Sequence, residues 1–116
     1  MMLALVIHPI LGPLEVQPFD LTGFVQRLQG IIGADLDSAS TEVGNVLFWY
    51  THIWSGAMPP RNDTATKLWH ELNPSGRTEP VNGWVHFYGT VVISGRKDVD
   101  LPDDLHLPDD ISWAIP

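Results

Sequence analysis

The stretch Val81–Gly95, Val-Asn-Gly-Trp-Val-His-Phe-Tyr-Gly-Thr-Val-Val-Ile-Ser-Gly, limits the possible folds more than any other part of the chain. It is the longest run of β-branched and aromatic residues, bounded by Gly83 and Gly95. Side chains alternate across a strand, so Val85, Phe87, Val91 and Ile93 fall on one face. Trp84, His86, Tyr88, Thr90, Val92 and Ser94 fall on the other, giving one dry and one amphipathic face. This is the pattern of a central strand. Gly89 brings no side chain and marks a bulge, a bend or the close crossing of another element.

The remaining elements follow in order. Leu3–His8 is continuously apolar, as in a strand covered on both faces. Pro9 and Gly12-Pro13 supply a turn, and Leu14–Phe19 alternates as the returning strand, with Pro18 placing it at an edge or ending it. Asp20 is suited to cap a helix over Leu21–Ile32, whose stripe is Leu21, Phe24, Val25, Leu28, Ile31 and Ile32. Gly33 suits the helix end. Ala34–Ser38 reads as a short edge strand, and Asn45–Trp54 as a strand apolar on both faces. Gly56 and Pro59-Pro60 require a loop. Asn62 or Asp63 then caps a second helix through Leu72, with Ala65, Leu68, Trp69 and Leu72 inward. The order predicts an α+β fold in one small domain. Two helices pack on a mixed or largely antiparallel sheet of about five strands.

At 116 residues the chain is long enough for one core, which residues 1–97 supply. Residues 98–116 form an acidic, Pro- and Asp-rich tail, packed on or trailing from that domain. Leu101-Pro102-Asp103-Asp104 recurs there as Leu107-Pro108-Asp109-Asp110, and Ile111, Trp113 and Ile115 are placed to tack the end to the body. The apolar N-terminus has no preceding basic residue and no cleavage site, so a signal peptide is not expected. It is too short to cross a bilayer.

The elements together resemble a small family of phages and bacteria known as domain of unknown function 3846. Four features carry the resemblance. Leu3–His8 is followed by a proline or glycine turn and a second strand. Leu28-Gln29-Gly30-Ile31-Ile32-Gly33-Ala34-Asp35-Leu36 is similar to the family's leucine–glutamine, Val-Gly-Gly and acidic pattern, with Ala34 in place of a glycine. Met58-Pro59-Pro60-Arg61-Asn62 leads into Ala65 like its proline-then-asparagine approach to a helix. Asn82-Gly83 and Gly89–Gly95 are similar to its closing valine-rich strand. The aromatic segment Phe48–Trp54 departs from the family, which reads Asn-Glu-acidic there. The resemblance implies phage or prophage origin and a cytoplasmic location, that of the host cell if phage-encoded. It implies no activity.

Recognisable reaction chemistry is missing from the sequence. There is no cysteine, which excludes thiolate catalysis and cysteine metal sites. His70-Glu71 opens like a zinc-protease helix, but Pro74 stands where the second histidine is required. His52 and His86 fall on strands that can be neighbours, which is where a metal-binding or small-enzyme reading would start. Ser55 and Ser94 are not in a nucleophile-elbow motif. The expectation is a non-enzymatic protein without cofactor or metal.

Five tryptophans are more informative, because each needs a large pocket and an N–H partner. Trp69 belongs to the core. Trp54, Met58, Pro59, Trp84, His86 and Tyr88 are the expected contact surface for a protein partner of the host or phage, a second copy of this chain included. The net charge of −8 disfavours direct contact with nucleic acid or anionic membrane. It also supports an alternative, in which Asp98, Asp100, Asp103, Asp104, Asp109 and Asp110 imitate nucleic-acid phosphates and block a host nucleic-acid-binding protein.

Overall fold

The computed structural model describes residues 2–9, 14–20, 22–43, 46–54, 56–75, 86–95 and 113–114. Strands β1 (Met2–Ile7) and β2 (Leu14–Phe19) form one antiparallel hairpin. Strands β3 (Leu36–Ser40) and β4 (Val46–Thr51) form another. The later strand β7 (Val91–Gly95) lies between them, antiparallel to both β1 and β4. A parallel pairing of β8 (Trp113–Ala114) with the start of β2 completes the order β3-β4-β7-β1-β2-β8. A separate two-stranded ladder joins β5 (Arg61–Asn62) to β6 (Phe87–Tyr88). Helices α1 (Phe24–Ile31) and α2 (Asp63–Glu71) complete an α+β fold. Neither is long and apolar enough to cross a membrane.

Strand parity sorts the core into two layers. Leu5, Ile7, Val46, Phe48, Tyr50, Val91 and Ile93 face α2, which contributes Ala65, Leu68 and Trp69, together with its C-cap Leu72. Ala4, Val6, Phe19 and Val92 face α1 through Phe24 and Leu28. The helices therefore cover opposite faces of the sheet. Both faces of β7 are buried, so its expected amphipathic face is dry within 91–95. The polar exception there, Ser94, accepts a hydrogen bond from Trp49 Nε1 at 2.9 Å. That bond gives one indole its partner inside the fold.

Two expectations are corrected. The run ending at Gly95 is not one strand, because β6 and β7 belong to different ladders and the chain breaks direction at Gly89. Gly89 has φ +76°, and a Cβ there would lie 3.2 Å from Pro59 Cγ. It marks a close crossing, which only glycine permits without strain. Helix α1 is not capped by Asp20. It starts after Gly23, at φ +77° with no side-chain cap, and the Arg27 N–H donates to Gly23 C=O at 3.0 Å. A turn at Thr22-Gly23 removes Asp20 from capping position. Arg27 anchors α1 instead, donating from Nη1 to Pro18 C=O at 2.8 Å with its guanidinium 4.1 Å from the centre of the Phe19 ring.

Candidate functional site

The site forms where β1 and β4 end and β3 and β7 begin. Its keystone is Asn62, which is fully buried. Its Oδ1 accepts from the Ala65 N–H at 3.0 Å and caps α2, as its residue type predicts. Its Nδ2 donates to the Ile7 and Gly89 carbonyls, both at 2.9 Å. The Thr66 hydroxyl donates to Asn62 C=O at 2.8 Å and accepts from Phe87 N–H at 2.9 Å. These bonds tie the start of α2, the end of β1 and the Phe87–Gly89 crossing into one unit.

Aromatic packing holds the same unit from inside. The Phe87 ring stacks on Phe48 at 5.7 Å and meets Tyr50 and Trp69 edge-on at 5.2 and 5.9 Å. With Phe87 pointing inward, Tyr88 is turned to the opposite side of β6. It meets the Trp54 ring there at a centroid distance of 5.9 Å.

Beside this pair the surface turns apolar. Ile53 is 55% exposed and Met58 54% exposed. Thr51 sets Ile53 in place after β4, accepting from its N–H at 3.2 Å and donating to its C=O at 3.0 Å. Next to this ledge lies a half-open cleft of about 530 Å³. Ile31 and Ile32 at the end of α1, Thr51, Ile53, Trp54 and Pro59 are among the residues that line it. Gly33, another lining residue, has φ +146°, and a Cβ there would lie 3.3 Å from Thr51 Cγ2.

The expected contact residues meet different fates. Trp54, Pro59 and Tyr88 come together, and Met58 precedes Pro59 as an exposed residue; the first three are half-buried, because Trp54 covers Tyr88 and Pro59 covers Gly89. His86 is also half-buried, and its Nδ1 is buried without a hydrogen-bond partner among the described residues. Trp84 and the aspartates from Asp98 to Asp110 lie outside the described residues. Ile53 was missed as a surface residue because the apolar run before it reads as one interior strand. Its signal is Thr51, a residue suited to ending the ladder by bonding to the backbone two positions on.

His52 does not pair with His86. Its Nδ1 meets Asp37 Oδ2 on the neighbouring strand. An imidazole oriented by a carboxylate is part of a catalytic set, but neither residue lines the cleft. Among the described residues no group of three or more His, Asp or Glu side chains is placed to hold a metal ion. The cleft can accept an apolar side chain against its aliphatic walls, with the Thr90 hydroxyl and Asp35 carboxylate as polar contacts at its lining. Comparison with family models, curated proteins and solved structures finds no match for this chain.

Proposed function

We propose that this protein acts without catalysis, by binding another protein through the ledge of Ile53, Trp54, Met58, Pro59 and Tyr88, with His86 and Trp84 beside it in the chain. The observation that carries the reading is the Trp54–Tyr88 ring pair, with Ile53 next to Trp54 and Met58 next to Pro59 in the chain, each more than half exposed. Contiguous apolar surface beside a cleft is characteristic of recognition sites. Aromatic anchors held in place by their neighbours supply most of the energy in such contacts. The resemblance to the phage family agrees with a partner inside the bacterial cell, encoded by host or phage.

The test compares capture from a bacterial lysate by the wild-type chain, the double variant Ile53→Ser/Trp54→Ala, and Val25→Ser. Val25 is an exposed apolar residue on α1 and serves as the control. The expected result is a protein retained by wild type and Val25→Ser, lost with the double variant, and insensitive to added salt. Equal retention by all three chains contradicts the reading. Retention that collapses with salt and ignores the ledge variant favours the acidic run at Asp98–Asp110 instead.

A further inference from the structure

We propose that the free side of β3 is a second recognition surface, which binds an extended, lysine- or arginine-bearing segment of a partner as an added strand. This inference does not depend on the ledge. It starts from the hydrogen-bond phase of the β3–β4 ladder. The Thr41 N–H donates to Val46 C=O at 3.1 Å, and the register then runs without a break from Ser40↔Leu47 to Leu36↔Thr51. Bonded and non-bonded pairs alternate in an antiparallel ladder. Ala39 and Asp37 therefore bond to β4, while Leu36, Ser38 and Ser40 turn their N–H and C=O groups away from it. No described residue pairs with β3 on that side.

The other margin of the sheet is treated differently. There β8 pairs with Leu14 and Glu15, and the exposed Pro18 further along β2 has no N–H to offer. Proline, lysine, bulges and covering segments are the usual means of preventing strand addition. Strand β3 contains no proline or lysine, its register is regular, and Ser38 at its centre is exposed. Charge selects the occupant. From Gly33 to Pro60 the chain carries Asp35, Asp37 and Glu42 and no Lys or Arg, within a molecule of net charge −8. Asp37 meets His52 and Glu42 accepts from Ser75, so this excess of negative charge, not a free carboxylate pair on β3, sets the sign. A second copy would bring the same negative charge, whereas a basic segment complements it. Main-chain bonds would supply affinity, and alternate basic side chains the selectivity.

The experiment uses the full chain and a short peptide of alternating lysine and valine, with the glutamate–valine peptide as control. Binding and residue-resolved amide exchange are followed by NMR. The expected result is slowed exchange at Leu36, Ser38 and Ser40 on adding the lysine peptide, with Asp37 and Ala39 slow already and the glutamate peptide inert. Ser38→Pro removes an outward N–H without touching the ladder to β4, and weakens binding about tenfold. Ser38→Lys keeps the backbone donor but repels the peptide, so the idea stays testable if the proline variant folds poorly. Three results would overturn the proposal: outward amides already slow in the free protein, exchange that changes only elsewhere, or binding by both variants equal to that of wild type.

Discussion

The two ends of β4 are finished in opposite ways. At the Val46 end, polar groups are answered one by one, and Val43 in the turn, 50% exposed, is a lone large apolar side chain in solvent there among the described residues. Glu42 N–H donates to Asn73 Oδ1 at 2.9 Å, Val43 N–H to Leu72 C=O at 3.0 Å, and Asn73 Nδ2 to Trp69 C=O at 2.7 Å. This stitches the β3–β4 turn to the end of α2. At the Thr51 end, the polar network around Asn62 lies beneath the surface, Ile53 and Trp54 line a cleft with Pro59, and Met58 next to Pro59 in the chain is exposed. One end uses its hydrogen bonds to close. The other uses them to brace a surface left apolar, and that contrast is the physical basis for placing recognition there.

The largest effect should come from removing the brace. Asn62→Ala loses a helix cap and strands one buried and one part-buried carbonyl, so urea unfolding should show a loss of about 2–4 kcal/mol. A loss under about 1 kcal/mol would mean that the ledge is held by other contacts. Next comes the crossing. Gly89→Ala places a side chain at φ +76° and against Pro59, and should cost about 1–3 kcal/mol in the same assay.

These two positions also show what local sequence reading can reach. Asn62 was legible as a cap because capping involves residues three apart in the chain. Its bonds to Ile7 and Gly89 were not, since they join positions 55 and 27 residues away. Gly89 was legible as a special position, while the identity of the crossing element was not, because Pro59 is remote in sequence. The dry parity of Val91 and Ile93 and the stripe of α2 followed from their periods. Asp20 misled because a cap rule ignores competing turns nearby. Trp54 and Tyr88 read in the sequence as surplus aromatics, yet each shelters the other in part, leaving Ile53 and Met58 as the most exposed large apolar groups of the ledge.

Closing the polar end matters less than bracing the apolar one. Asn73→Ala should cost about 1–2 kcal/mol and speed amide exchange at Glu42, whose N–H loses its acceptor. The smallest change in stability should follow Ile53→Ser and Met58→Ser, within about 0.5 kcal/mol of wild type, since both side chains are largely in solvent. Were these to destabilise as much as Asn73→Ala, the ledge would be part of the core and the two ends would not differ in kind.

Site-specific photocrosslinking in cells tests the central claim most directly, with the reactive group placed in turn at Ile53, Met58 and, as the control, Val25. A single protein partner joined from Ile53 and Met58 and absent from Val25 is the predicted result. Adducts that form equally from all three positions, or from Val25 alone, would contradict recognition through this ledge.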